Sequence, residues 1–265
     1  MPTIRIEGPA DSRLAPYFNL RSGKSSPSSF IVESSRLVER LLVSPFTTHS
    51  LLVTEGKLAH FECLVSSGVP IFVGSAAELK EIAGFNMHRG CLAHVGAPST
   101  TLEDNLTDPV PGLVVIMQGL ADPANVGSII RNAAAFGADL VIADPKGASP
   151  FTRKAARTSA GHIFTVPIAV ADPAESIAKL RRSSPEVEII ATTGHRDALP
   201  MESLSNNPCK AVIFGNEGHG VTDQIRQLAD SSRTVALADG VDSLNVAAAS
   251  ALVLYLAQQS IAPAR

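Results

Sequence analysis

Cysteine is scarce in this chain, with only Cys63, Cys91 and Cys209 scattered over 265 residues. Three widely spaced thiols form no disulfide framework and no zinc spacing, so a reducing compartment, the cytoplasm, is expected. Bulk positive charge is also missing: 22 Lys and Arg face 25 Asp and Glu, a net charge of −3. Any nucleic-acid partner must therefore be held by a local patch. Long apolar runs are absent too. The longest mainly apolar stretch, 246–257, falls short of the roughly 20 residues a bilayer crossing needs, so no membrane role is expected. The opening MPTIRIEGPADSR has no apolar signal-peptide core. No G-x-G-x-x-G follows a strand and no Lys-Ser/Thr follows a glycine loop, which excludes a dinucleotide fingerprint and a nucleoside-triphosphate loop. His162, His195 and His219 show no metal-binding spacing and read as structural or surface residues, so no metal is expected.

What is there is alternation. Hydrophobic residues at 45% and charged residues at 18% suit a globular α/β protein. Residues 1–27, rich in Pro, Ser and Arg, read as an irregular arm. From 28 to 97 the runs FIVES, SLLVTE, VPIFVG and CLAHVG predict strands, with helices over SRLVERLLVS, GKLAHFECLVSS and AAELKEIAG. A Pro, Gly, Thr and Asp-rich linker, 98–110, leads into a second domain, 111–265. There GLVVIMQ, ADLVIAD, HIFTVPI, VEIIATT, KAVIFG and RTVALA predict strands, with helices at about 126–137, 152–160, 173–183, 221–230 and 243–258. Continuous runs such as LVVIM are what a parallel sheet covered on both faces requires. In such sheets ligands gather at the carboxyl ends of the strands.

Three strand ends carry concentrated polar chemistry. In DPANVGSIIRNAAAFGAD, Asn125 reads as a helix cap or a site residue. Arg131 sits in an otherwise small, apolar helix and reads as an anion partner or a surface ion pair. In IFGNEGHGV a single carboxylate, Glu217, occupies a glycine-rich turn, where it can accept hydrogen bonds or hold a cation. In DGVDSLNVAAASALVLY, Asp242 or Ser243 reads as the cap of an apolar helix.

Taken in this order, the three stretches resemble the signature motifs of the SpoU, or TrmH-like, family of RNA ribose 2′-O-methyltransferases in the knotted methyltransferase superfamily. TSAGHIFTVPI and IIATTG agree more loosely, and FIVESSRLVERLLVS and HRGCLAHV resemble the family's L30e-like RNA-binding domain. The resemblance implies a deep trefoil knot in the second domain, a homodimer and S-adenosylmethionine as cofactor. It implies Asn125, Arg131, Glu217, Ser243 and Asn245 as catalytic residues. Thr192, Gly194, Gly215, Val235 and Leu244 would hold the cofactor, and Glu217 would pair with Arg131 or Asn125. Asn216 and Ala236 depart from the family's usual residues, and neither position is expected to supply obligatory side-chain chemistry. Deprotonation of the ribose is assigned by the family mechanism to Arg131, whereas a guanidinium gives up its proton only in strong base. A charged Arg131 stabilising the alkoxide is the other reading. RNA contact is expected from Arg21, Lys24, Arg36, Arg40, Arg153, Lys154 and Arg157, while His88-Arg89 reads as an RNA contact or a turn. The substrate expected is structured RNA, ribosomal ahead of transfer RNA. A non-catalytic RNA-binding protein on the same scaffold and a nucleotide-binding oxidoreductase are the competing classes.

Overall fold

The structure is a computed structural model that describes residues 3–8, 11–20, 28–86, 90–106 and 112–261. Arg21, Lys24, His88 and Arg89 lie outside the described residues. The chain divides into two units, Met1–Pro98 with Phe151–Phe164, and Ser99–Pro150 with Thr165–Arg265.

The first unit is built on a five-stranded mixed sheet. Its strands are β1 (Thr3–Arg5), β2 (Ser29–Glu33), β3 (Thr48–Thr54), β4 (Ile71–Gly74) and β5 (Cys91–Gly96), in the order β1-β4-β3-β5-β2. Helices α1 (Ser35–Leu42), α2 (Glu55–Glu62) and α3 (Ala76–Ala83) intervene as expected. The boundaries of α3 follow from local chemistry: Ser75 and Glu78 form a reciprocal capping box, and Gly84 closes the helix in the left-handed conformation.

The expected irregular arm is instead structured over its described residues. β1 pairs in parallel with β4, and Ser12–Tyr17 forms a 3₁₀ helix capped by Asp11. Ile6, Leu14 and Tyr17 enter the core with Leu52, Phe72 and Leu92. The Tyr17 hydroxyl donates to the Ser50 carbonyl at 2.9 Å. These apolar residues are too sparsely spaced to show a period, and only tertiary pairing orders them.

The second unit is a seven-stranded, all-parallel sheet. After α4 (Leu102–Asn105) come β6 (Gly112–Met117), α5 (Pro123–Ala135) and β7 (Leu140–Ala143). The expected linker is partly built in: Leu102 is buried in this unit's core, and Val170 N donates to Thr100 O at 2.7 Å. The connection from β7 to β8 carries α6 (Arg153–Thr158), and 151–164 cluster with the first unit rather than with the second, to which the sequence reading assigned them. HIFTVPI is likewise no single strand. Its first half is a 3₁₀ turn, His162–Phe164, and β8 is Ile168–Val170.

There follow α7 (Pro173–Ser183), β9 (Glu188–Thr192), β10 (Leu199–Pro200), β11 (Cys209–Phe214), α8 (Asp223–Arg226), β12 (Ser231–Thr234) and α9 (Val246–Gln259). An Asp-Pro pair opens both α5 and α7, the Asp capping and the Pro at the first helical position, where no N–H is needed. Strand order is β10-β12-β9-β11-β6-β7-β8. Val114, Ile116, Ala211 and Ile213 bury one face, and Val115, Met117, Val212 and Phe214 are equally buried on the other. That two-sided burial is why the strands read as unbroken apolar runs.

Candidate active site

The strand order reverses between β6 and β11. From β6 the chain moves outward to β7 and β8, then returns to lay β11 and β9 on the other side. Phe214 pairs with Met117, so the loops leaving β6 and β11 emerge side by side at the carboxyl edge.

Glu217 clasps these two loops together. Its Oε2 accepts from Ala121 N at 3.0 Å and its Oε1 from Asp122 N at 3.2 Å. Oε1 also accepts from Asn125 Nδ2 at 2.8 Å. Burial pushes the Glu217 carboxyl upward, but the amides of Ala121 and Asp122 and the Asn125 side chain outweigh it. The group is held below the ordinary carboxylate range. Its partner is thus Asn125. Arg131 is exposed, and its side chain makes no hydrogen bond or ion pair among the described residues. Asn125 is not the cap of α5, because Asp122 fills that position by accepting from Ala124 N at 2.8 Å. The Asn125 side chain is free to act elsewhere.

Asn245 brings in the third loop. It donates from Nδ2 to Asn125 Oδ1 at 3.3 Å and caps α9 through Ala247 N at 2.9 Å. The cap is therefore Asn245, not Asp242 or Ser243, and Ser243 stays exposed. Seven residues after Asn125, two helical turns on and on the same face, Asn132 reaches α9 as well. Its Nδ2 donates to Ala247 O at 2.9 Å and to Ser250 Oγ at 2.8 Å. Ser250 is fully buried. Sequence reading missed this pair; the signal was the seven-residue spacing of the two asparagines.

Asn216 also does more than expected. Its Nδ2 donates to Gly119 O at 2.8 Å, while its Oδ1 accepts from Gly218 N at 2.9 Å and His219 N at 3.2 Å. Gly215 has a steric cause inside the loop: a Cβ there would lie 2.1 Å from Gly220 C and Val221 N. Gln118, with 9% exposure, locks the base of the two loops by donating to Thr222 Oγ1 at 2.7 Å and accepting from Thr222 N at 3.0 Å.

The remaining sequence candidates flank this cluster. Thr192 Oγ1 donates to Ile213 O at 2.8 Å, stitching β9 to β11. Gly194 lies against the neighbouring loop, where a Cβ would come 3.2 Å from Asp242 O. RTVALA is a strand only to Thr234. Beyond it Val235 is half-buried and Leu244 exposed, and the amides of Leu237 and Leu244 have no hydrogen-bond partner among the described residues. Unpaired amides beside apolar side chains suit a purine ring carried on a polar tail.

The basic residues sit in the first unit. Arg153 donates to Glu33 Oε2 at 2.6 Å with its guanidinium 4.6 Å from the Phe85 ring centroid, and Arg157 reaches Glu33 Oε1 at 3.4 Å. Arg40 donates to Ala160 O at 2.5 Å. Arg36 and Lys154 are exposed. Among the described residues no group of three His, Cys, Asp or Glu is placed to hold a metal.

The chain is similar to several known proteins. Residues 112–255 match the SpoU rRNA Methylase family. An uncharacterized tRNA/rRNA methyltransferase of Mycobacterium tuberculosis is 33% identical over 260 residues, 93% of this chain and 88% of that protein. The 23S rRNA (guanosine-2′-O-)-methyltransferase RlmB of Ralstonia nicotianae is 31% identical over 206 residues, 76% of this chain and 82% of its own length. The SpoU methyltransferase AviRb of Streptomyces viridochromogenes, solved in complex with AdoMet, shares the fold with a TM-score of 0.79 at 23% identity, over 94% of this chain and 98% of its own. The family match and these relatives show an α/β enzyme of the methyltransferase class. The chain belongs to the SpoU rRNA Methylase family.

Proposed function

We propose that this protein transfers a methyl group from S-adenosylmethionine to a ribose 2′-hydroxyl in structured RNA, ribosomal ahead of transfer RNA. The observation that carries it is the Glu217–Asn125–Asn245 chain of hydrogen bonds, which joins all three loops, with Arg131 exposed on α5, the helix that carries Asn125. The names of RlmB, a 23S rRNA 2′-O-methyltransferase, and of AviRb, crystallised with AdoMet, point the same way.

The bound cofactor supplies a methyl group already activated on a sulfonium, so the chain has to align, desolvate and deprotonate. Thr192, Gly194, Gly215, Val235 and Leu244 line or shape the loops that would hold it. Glu217 orients Asn125, and Asn125 and Asn245 fix the edge of the site. Arg131 is essential to the transfer step, through its guanidinium at the developing alkoxide. Ser243 is an exposed hydroxyl available to the substrate.

The same reading takes the first unit as L30e-like and RNA-binding, with Arg36, Lys154 and Arg157 among its exposed cations. It takes the second unit as knotted and the whole as a cytoplasmic homodimer. Support for the dimer comes from the apolar face of α9, where Leu252 and Tyr255 are 45% and 51% exposed. No helix among the described residues is long and apolar enough to cross a membrane.

The test is tritium transfer from labelled S-adenosylmethionine to unmodified ribosomal and transfer RNA, with Arg131→Ala as control. Label at a single alkali-resistant linkage, lost in the variant, is the expected result. Cofactor binding without transfer to any RNA would favour a non-catalytic RNA-binding scaffold instead.

A further inference from the structure

Two loops of the second unit meet beside the residues assigned above to the cofactor. One leaves the end of β9 at Thr192 and carries Gly194. The other, 235–245, joins β12 to α9 and carries Val235 and Leu244. This second loop has neither helix nor strand, and residues 238–245 are all exposed. Val241 N donates to Ala238 O at 3.2 Å, closing a four-residue turn with Gly240 at φ +80° in its third position. A loop so exposed needs an outside tether to keep one shape.

Arg196 is that tether. It stands on an ordered base, where Thr193 N donates to Arg233 O at 3.0 Å, His195 N to Thr193 Oγ1 at 3.2 Å and Ala198 N to His195 O at 3.2 Å. From there its guanidinium grips the turn of the neighbouring loop. Nη1 donates to Asp239 Oδ1 at 2.6 Å, and Nη2 donates to Ala238 O at 3.0 Å and to Val241 O at 3.4 Å. Among the described residues, no other side chain from outside the loop hydrogen-bonds to residues 236–244. The two loops also touch at Gly194, where a Cβ would lie 3.2 Å from Asp242 O. Asp239 is fully exposed and Arg196 half-exposed, so their ion pair is screened by solvent and weak by itself. The hold on the two carbonyls comes from the planar fork of the guanidinium, which a lysine cannot reproduce.

We propose that Arg196 is a positioning residue for S-adenosylmethionine, holding 236–244 in the shape that receives it. The proposal rests on the methyltransferase reading above. Leu237 and Leu244, whose amides have no partner among the described residues, flank in sequence the turn that Arg196 grips. With the turn held, both amides are set in place before the cofactor arrives, and less chain has to be ordered on binding. The far end of the loop is fixed independently, because Asn245 caps α9 through Ala247 N and donates to Asn125. Release of Arg196 therefore loosens the cofactor loop and leaves Asn125 and Glu217 where they are. Its effect falls on cofactor affinity and not on the transfer step.

The test compares wild type with Arg196→Ala, Arg196→Lys and Asp239→Ala in the full chain. Calorimetric titration gives Kd for S-adenosylmethionine, and hydrogen exchange without cofactor follows the amides of 236–244. Methyl transfer to RNA separates KM from kcat. Arg196→Ala is expected to raise Kd and KM for S-adenosylmethionine about fivefold to tenfold. Its kcat and its KM for RNA stay within about twofold of wild type. Exchange at 236–244 speeds up in the same variant, while Tm is unmoved because the side chain is exposed. Arg196→Lys recovers part of the affinity, and Asp239→Ala, which leaves the carbonyl bonds in place, raises Kd less than about twofold. Arg196→Ala with wild-type cofactor affinity, or with loop exchange unchanged, overturns the proposal while leaving the methyltransferase reading intact. A wild-type protein that binds no S-adenosylmethionine overturns that reading and the proposal with it.

Discussion

Asn125 Nδ2 and Glu217 Oε1 lie 2.8 Å apart although 92 residues separate them in sequence. This bond answers why one acid sits inside a glycine-rich turn. Glu217 is a clasp that accepts from the loop after β6 and turns Asn125 toward Asn245.

Glu217→Gln keeps the size of the side chain but trades a charged acceptor for a weaker one. It is expected to cost about 1 kcal/mol of stability at neutral pH, a small figure because the group is exposed. Its carboxyl is depressed below the ordinary 4.5 in the folded state. The stabilisation is therefore fully present above pH 4.5 and disappears as pH falls through the lower folded value. Urea unfolding at several pH values should show the wild-type and variant curves converging in acid. A gap of constant size at every pH would refute the clasp.

Arg131→Lys keeps the charge and loses the planar fork. Methyl transfer is expected to fall about tenfold or more with cofactor affinity unchanged, because one rigid donor pair is replaced by a mobile point charge. Calorimetric titration with S-adenosylmethionine beside the tritium assay separates the two. Near-normal transfer would exclude a role for guanidinium geometry.

Gly215→Ala places a methyl group 2.1 Å from Gly220 C and Val221 N, against backbone that has no side chain to swing away. A loss of about 3 kcal/mol is expected, visible as a lowered Tm in calorimetry. Gly218→Ala, whose Cβ would meet nothing nearer than Asn216 Oδ1 at 3.5 Å, is the tolerated control.

Asn132 and Ser250 register α5 against α9. Single alanine variants are each expected to cost about 1–2 kcal/mol, and the double variant less than their sum. Additive losses in a double-mutant cycle would mean the two side chains act separately.

Leu252→Arg with Tyr255→Glu puts charge on the exposed face of α9. Analytical ultracentrifugation is expected to show a dimer in the wild type and a monomer in the double variant, at unchanged helix content. An unchanged sedimentation coefficient would move the dimer interface elsewhere.

Much of the second unit was legible in the sequence because its strands are buried on both faces, which forces unbroken apolar runs such as LVVIM and AVIF. The helix 173–183 was read at its observed limits, whereas α5, read at about 126–137, begins at Pro123 behind the Asp122 cap. Local chemistry thus determined where strands and helices form, and the order of three motifs determined the family. Tertiary structure alone decided the rest. Ile6, Leu14 and Tyr17 carry no period, and only the edge of β4 and the core beneath it order them. Whether Asn125 caps its helix or serves the site depended on Asp122 taking the cap. The choice of Asn125 over Arg131 as partner of Glu217 was made by the pairing of β6 with β11, which sets their two loops side by side. Residues about a hundred positions apart leave no local pattern of their contact, since hydrogen bonds across loops depend on strand order rather than on sequence spacing.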